Sequence, residues 1–496
     1  MNRAPSGGAL TTPLRTREIP AGTWVAGLTL VILAATIPGI WSLGGLVVLI
    51  AGAAVIVNPD LAIYLLTLSV PLGSMLEVDT GSFSLSPTEG IAAMLLIGWA
   101  ARAFARGRFV VPLAPLLLPI VAVIAVHLFS MQQAVQSSLT IKETLKWVEL
   151  LLVYAYVIAE MGTMPRAMKI LGFLFAGATI EGLIGLVQFG LGLGPAEFAI
   201  GRFMRAFGTF EQPNPYAGYL GMLLPLAIAM LLTRPAGRFR NGIVLVLSVA
   251  LVGVAASLSR GAWVGVGLGV VAMMVFWSRR SRLLVAIAVI AMVPVLALAF
   301  LNVLPAEVTV RLATALDYFR FIDVRNEIVT PDNWAVLERV AHWQAALDMI
   351  AAHPIFGVGA GNYPAVYQQY MVSGWLEPLG HAHNYYLNVA AETGLPGLAI
   401  YLVFLTAAFL TVIRALVGNP DRRAGEGTGV ARDEEVKARA ILLGTLGMLV
   451  AISVHNLFDN LFVHGMGLQL GMILALAQVA AISLARSDQS RGEAAR

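Results

Sequence analysis

The sequence predicts an all-α protein, a polytopic transmembrane helical bundle of about 12–14 helices. Three observations carry this. Of 496 residues, 58% are hydrophobic and 12% charged, where soluble domains carry about 25% charged residues. Apolar stretches long enough to cross a hydrocarbon layer of about 30 Å recur along the whole chain. Lysine and arginine also gather in alternate loops, as they do where loop charge fixes orientation.

Apolar spans are expected at 22–38, 40–57, 61–76, 88–104, 111–130, 141–161, 167–190, 215–233, 241–257, 261–278, 283–303, 395–416, 438–457 and 463–485. The loops "RAFARGR" (102–108), "MPRAMK" (164–169), "RPAGRFR" (234–240) and "RRSR" (279–282), the segment Arg414 to Arg439 and the tail after Arg486 hold most of the short-loop cations. The intervening loops "EVDTGSFSLSPTEG" (77–90) and "MQQAVQSS" (131–138) hold none. This bias places both termini in the cytoplasm of a multi-pass inner-membrane protein. The polar stretch 1–20 reads as a retained tail, since it lacks an apolar core followed by a small-residue cleavage site. The expected organisation is a tail (1–20), N-terminal membrane helices (21–190), a central region (191–416) with a large extracytoplasmic loop (304–383), a cytoplasmic loop (417–437), C-terminal membrane helices (438–485) and a tail (486–496). The chain has no cysteine, which excludes disulfides, thiolate metal sites and cysteine nucleophiles.

Two loops on the extracytoplasmic side break the charge bias: 191–214, with Arg202 and Arg205, and 304–383, with Arg339. Within the second, Val336, Val340, Trp343, Leu347 and Ile350 recur at helical spacing, forming an amphipathic helix that lies on the membrane surface or packs on the bundle. A Gly-rich turn, "GVGAGNY" (357–363), follows it and lacks the spacing of a nucleotide loop. At the end of the same loop stands "GHAHNYYLNVAAETGLPG" (380–397), the most titratable stretch of the chain. "GTFEQPNPYAGYL" (208–220), "SLSRGAWVG" (257–265) and "HNLFDNLFVHG" (455–465) bring Glu211, Asn214, Arg260, His455, Asp459 and His464 to the same side. For any one of these, snorkelling to the headgroups is the ordinary alternative. His127 reads as a core residue, and Lys142, Glu143, Lys146 and Glu149 read as pairs that neutralise one another along a helix. Glu160 and Glu181 lie in apolar spans with no partner visible in the sequence.

Arginines exported to one face, with a histidine at a helix entrance, suit transfer from a lipid-linked pyrophosphate. Guanidinium groups bind phosphate bidentately, and an imidazole near its ordinary pKa of about 6.5 accepts a proton from an attacking hydroxyl.

Four segments in order carry a specific resemblance: "GTFEQPNPYAGYLGMLLPLA", "SLSRGAWVG", "ERVAHWQAALDMIAAHPIFGVGAGNYPAVY" and "HNYYLNVAAETGLPG". Over roughly residues 200 to 416 the chain resembles the O-antigen ligase/polymerase superfamily, integral GT-C-like glycosyltransferases that use undecaprenyl-pyrophosphate-linked glycans. The resemblance implies metal-independent transfer with inversion and no cofactor. It implies that His383 activates the acceptor hydroxyl while Arg260 and Arg339 hold the pyrophosphate, with Arg205, Asn384, Glu211 and Asn214 as substrate-binding residues. Glu392 either takes part or shapes the helix break that presents His383. The implied partners are the undecaprenyl-pyrophosphate glycan, a glycan, lipid A-core or protein acceptor, and the bilayer, with no nucleic acid. Ligation, polymerisation and protein O-glycosylation share these motifs, and the acceptor pocket is expected near 317–333. Two rivals stand beside this expectation. A divalent metal could sit on His381, His383, His455, Asp459 and His464, or on Glu77 and Asp79. A lipid-linked sugar flippase would also have many spans, although such transporters place polar groups at mid-bilayer in repeated halves and this chain shows no repeat.

Overall fold

The computed structural model describes residue 58 and residues 60–73, 78–79, 84–85, 87–107, 112–300, 323–330, 333–418 and 430–494. The expected spans 22–38 and 40–57, Glu77, residues 304–322 of the long loop and most of the 417–437 loop lie outside them.

Helices dominate the described chain: α1 (Asp60–Leu72), α2 (Pro87–Ala105), α3 (Leu117–Ser130), α4 (Ser137–Glu160), α5 (Met164–Leu191), α6 (Pro213–Leu232), α7 (Gly237–Ala256), α8 (Arg260–Trp277), α9 (Arg279–Phe300), α10 (Trp334–Ala352), α11 (Tyr363–Tyr370), α12 (Tyr385–Val417), α13 (Val430–His455) and α14 (Met466–Ala494). Among the described residues, strand is confined to two ladders of two residues per strand, Val78–Asp79 with Ser84–Leu85 and Ala199–Ile200 with Phe203–Met204. Among the described residues, eight helices (α2, α5, α6, α7, α8, α12, α13 and α14) are long and apolar enough to cross a membrane. The protein is therefore an all-α polytopic membrane protein, as the composition predicts. Helices α1 and α3 are shorter than a full span, and α4 carries Lys142, Glu143, Lys146 and Glu149 within its length.

The middle of the bundle is built on α6, α13 and α14, the three helices with the largest buried share. Tyr216, Tyr219, Leu223 and Leu226 of α6 and Leu442, Leu446 and Leu449 of α13 are fully or almost fully buried. Without a hydrophobic drive between helices in lipid, close backbone approach supplies the packing. On α8, a Cβ at Gly265 would stand 2.5 Å from the Ala451 carbonyl oxygen, and one at Gly269 would fall on that of Gly447. These glycines let α8 lie directly on α13.

One end of the bundle carries an added layer formed by a 3₁₀ turn (Val324–Asn326), α10, α11 and the first part of α12. Helix α12 is two helices joined at Gly394, whose φ of 75° no other residue adopts cheaply. The expected amphipathic helix exists as α10 and packs on the bundle, with Val340 and Trp343 buried and Val336 and Ile350 half-buried as expected and Leu347 departing from the stripe. Leu337, Val340, Ala341, Ala345, Ala346 and Met349 are buried, while Leu347 is exposed, because α11 and α12 cover the small-residue side.

Two intramembrane carboxylates have partners that the sequence did not reveal. Glu160 accepts two hydrogen bonds from Arg106, at 3.1 and 3.2 Å. Glu181, fully buried, accepts from the backbone N–H of Thr209 at 2.7 Å and from its hydroxyl at 3.0 Å. Gln188 accepts from the N–H of Gly208 at 2.7 Å and donates to its carbonyl at 2.8 Å. Helix α5 thus fixes the Gly-Thr-Phe turn, and with it Arg205 just upstream. His127 is buried, with Nδ1 2.9 Å from the Val123 carbonyl, and Lys146 pairs with Glu143, both as expected.

Candidate functional site

The polar groups at the layered end of the bundle form one connected cluster. Arg205 donates from Nε to the Ser257 carbonyl at 2.7 Å and from Nη2 to Asn214 Oδ1 at 2.9 Å. These two bonds tie the loop before α6 to the turn before α8. That turn is tight: Leu258 has φ 52°, and Ser259, in extended conformation, immediately precedes α8, which begins at Arg260. Ser259 Oγ lies 3.4 Å from His455 Nε2 at the end of α13. Four residues on, Asp459 is buried, with Oδ1 3.5 Å from His381 Nε2 and 3.8 Å from His383 Nδ1.

His383 is held by its backbone and flanked by rings. Its φ is 50°, a left-handed conformation that is costly for a non-glycine residue and marks a constrained position. Its N–H donates to His381 Nδ1 at 3.0 Å, and its carbonyl accepts from Trp343 Nε1 at 3.4 Å. The His342 ring meets it edge-on at 5.5 Å, and His342 Nδ1 lies 2.9 Å from the Tyr363 hydroxyl. Both ring nitrogens of His383 are buried without a protein hydrogen-bond partner among the described residues. The 3.8 Å contact with Asp459 is an ion-pair distance, too long for a hydrogen bond. Nδ1 thus faces Asp459, and Nε2 is the nitrogen available to a ligand.

Electrostatics bind the cluster together. Burial, and then the charge of Arg339 and Arg260, lower the Arg205 guanidinium to about 10, while Asp459 opposes them. Arg205, Arg260, Arg339 and Asp459 therefore share one site, drawn from four separate segments. Burial and its neighbour His383 lower His381 to about 4, and burial with the two other imidazoles lowers His342 to about 3. Both are neutral at pH 7. Burial works to raise the Asp459 carboxyl, but its contacts with His383, His381 and His455 overcome this and hold it well below the usual carboxylate range. It is an anion set among the three guanidinium groups.

The remaining expected residues have other positions. Asn214 is in the cluster, as the acceptor from Arg205. The side-chain oxygen of Asn384 is committed to capping α12, accepting from Tyr386 N and Leu387 N. Glu211 is exposed in a turn with φ 61°, and among the described residues it makes none of the cluster's contacts. Glu392 is buried and accepts from the Tyr363 N–H at 3.2 Å, while its carbonyl accepts from Gly359 N at 2.9 Å. Those bonds dock the Gly-rich turn on α12 close to the break at Gly394. Gly357 stands where a Cβ would fall on the Glu392 carbonyl group.

Of the wider metal set considered from sequence, three residues come together: His381, His383 and Asp459 each offer a ligand atom, all within 4.8 Å of one another. From sequence Asp459 was grouped with His383 only as a shared metal ligand; its contact with the imidazole as a charge partner is what the structure adds.

The O-Antigen ligase family model matches residues 243–402, which span the turn before α8, α10, the Gly-rich turn and the His383 segment. Among curated proteins no match is found.

Proposed function

Through this matched region the chain belongs to the O-antigen ligase superfamily, whose members are glycosyltransferase-like ligases and polymerases, and from that premise we propose the reaction it performs. It transfers a glycan from an undecaprenyl-pyrophosphate carrier to an acceptor hydroxyl at the extracytoplasmic face of the inner membrane, with both termini in the cytoplasm. The observation that carries this reading is the gathering of Arg205, Arg260, Arg339 and Asp459 at one site, with the His383 imidazole 3.8 Å from Asp459.

In this reaction the acceptor oxygen attacks the anomeric carbon while His383 takes its proton. The bond from that carbon to the phosphate oxygen breaks, and the electron pair leaves with the lipid pyrophosphate. Attack opposite the leaving group inverts the anomeric centre. The guanidinium groups stabilise the charge that builds on the pyrophosphate, acting from fixed positions in a site partly withdrawn from water. Asp459 touches neither reactant. It orients His383 and offsets the positive charge that the imidazole acquires as it takes the proton, and this makes it a positioning residue.

A second reading rests on the His381, His383 and Asp459 trio as ligands of a divalent ion, a donor set that zinc accepts. His383 would then hold the ion in place of accepting a proton. Three guanidinium groups beside the trio oppose a further dication and already supply the charge a pyrophosphate needs, which favours the metal-free reading. Incubating purified protein with undecaprenyl-pyrophosphate oligosaccharide tests the proposal. Chain growth among donors marks a polymerase, and transfer only on addition of a glycan, lipid A-core or protein acceptor marks a ligase. An intact donor under all these conditions overturns the proposal in favour of transport.

A further inference from the structure

A second set of cations stands at the end of the bundle opposite the His383 cluster, and α4 fixes the two ends. Its start docks on the Gly-rich turn, where Gln136 N donates to Asn362 Oδ1 at 2.8 Å and the Thr140 hydroxyl to the Ala360 carbonyl at 2.9 Å. Its 24 residues rise roughly 36 Å, so Glu160 closes it at the far end. There Arg102 Nη2 donates to the Tyr156 hydroxyl at 2.9 Å, which donates to Asp60 Oδ1 at 2.9 Å. Arg106 holds Glu160, and Arg166 Nη2 lies 3.7 Å from Asp60 Oδ2. Three guanidinium groups thus meet two carboxylates. The Arg106 and Arg166 side chains are half exposed, and a guanidinium has five N–H donors, so both keep donors facing outward.

An apolar slot of about 280 Å³ ends at these arginines. It lies between α2 and α4 and is lined by Ala92, Leu95, Trp99, Val148, Leu152 and Tyr156, among others. The Trp99 and Tyr156 rings meet edge-on at 5.6 Å, and Arg102, one turn past Trp99, reaches the Tyr156 hydroxyl. From Val148 to Tyr156 the apolar wall runs about 12 Å, close to the depth of one leaflet in a hydrocarbon core of about 30 Å. Leu96 and Leu145, which also line it, are 39% and 49% exposed, so the slot opens sideways between the helices. Its other end, with Glu89 and Glu149 set against Lys142 and Lys146, leads into a polar cavity of about 290 Å³ between α2, α4 and α14. The excess of cations is therefore at the arginine end.

We propose that the slot and these arginines form a binding site for one anionic phospholipid, with its phosphate on Arg102, Arg106 and Arg166 and an acyl chain between α2 and α4. The site stands whether or not the chain transfers glycans. Basic pockets between membrane helices take anionic headgroups, and guanidinium forks match phosphate oxygens. In the orientation proposed above this end faces the cytoplasm, so the lipid comes from the inner leaflet. A lipid pyrophosphate held at the His383 cluster has its headgroup at the opposite end and is a different ligand. Only 28% of the α2 span is buried, so a chain lodged against α4 joins α2 to the bundle.

Native mass spectrometry of the full chain in a neutral detergent counts bound molecules as phosphatidylglycerol, phosphatidylethanolamine or glycerol 1-phosphate is added. One phosphatidylglycerol is expected to bind at least tenfold tighter than phosphatidylethanolamine, with no glycerol 1-phosphate retained at the same concentrations. Arg106→Gln with Arg166→Gln should weaken that binding at least tenfold. Ala93→Trp, which fills the slot from an exposed position on its wall, should abolish it. Arg238→Gln with Arg240→Gln removes equal charge at the start of α7, whose other end adjoins Ser257 of the cluster, and should leave binding unchanged. Equal affinity for the two phospholipids, equal loss in the α7 pair, or full binding by Ala93→Trp overturns the site. Glycerol 1-phosphate bound as tightly as the lipid marks a free-phosphate site and overturns the lipid assignment. Should a variant fail to fold, the wild-type preference between the two phospholipids decides alone.

Discussion

Replacing Asp459 with asparagine keeps the shape of the buried turn and removes its charge. The carboxylate lies 3.8 Å from His383 Nδ1, so its charge offsets the one that the imidazole acquires as it takes the acceptor proton. At 3.8 Å and an effective dielectric constant of about 20, that attraction amounts to about 4 kcal/mol. A charge-assisted contact measured by mutation loses about 1.5–3 kcal/mol, so the smaller figure sets the lower bound. At 1.36 kcal/mol per factor of ten, kcat is expected to fall between roughly tenfold and a thousandfold. Because the interaction strengthens only as the proton moves, KM for the donor changes far less than kcat. The assay is loss of lipid-linked donor by purified protein at saturating acceptor, with thermal unfolding measured in parallel. A well-folded Asp459→Asn enzyme with kcat within twofold of wild type would refute the positioning role.

Other consequences follow from the same geometry. Arg260→Ala and Arg339→Ala each remove a charge-assisted phosphate contact of about 1.5–3 kcal/mol, so donor Kd should rise by one to two orders of magnitude in a binding titration. Arg205→Lys should fail to restore function, since one ammonium cannot reproduce the fork that reaches Ser257 and Asn214 while facing the donor; full activity would argue that Arg205 acts only as a charge. His381 is lowered from its ordinary value near 6.5 to about 4, so between those values the unfolded chain binds a proton that the folded chain refuses. Its stabilising contribution, roughly 3 kcal/mol, is present above pH 6.5 and lost as pH falls through about 4, and His381→Asn should flatten that part of the unfolding profile. Gly394→Ala places a side chain at φ 75° against the Ile355 carbonyl and should cost about 2 kcal/mol or more, read as a lower unfolding midpoint with loss of transfer.

Helices were legible in this chain because lipid enforces them: backbone groups without water must pair within each segment, and apolar length reports that directly. Predicted bounds such as 215–233 and 261–278 agree closely with α6 and α8. The cluster was legible for a related reason, since His383 and the three arginines lie where cations should be rare. Contacts across the fold were not legible. Asp459 reaches His383 only because Tyr385 N donates to the Asn456 carbonyl at 2.8 Å, docking the start of α12 on the last turn. Glu181 looked partnerless because its partner is a backbone N–H, which every residue offers and no sequence advertises. Leu347 was assigned to the buried stripe of α10 by spacing alone, but the small residues Ala341, Ala345 and Ala346 allow closer approach on the neighbouring face. The charged stretch of α4 was read correctly as pairing, and its role as the wall of a cavity needed α2 and α14 beside it.

The central claim is that His383, not a metal ion, activates the acceptor. Its most direct test is donor consumption by purified protein with undecaprenyl-pyrophosphate oligosaccharide, an acceptor and excess EDTA, with His383→Ala alongside at matched expression and folding. The account predicts undiminished turnover by wild type and none by the mutant. Activity that vanishes in EDTA and returns with a divalent ion, or normal turnover by His383→Ala, would contradict it.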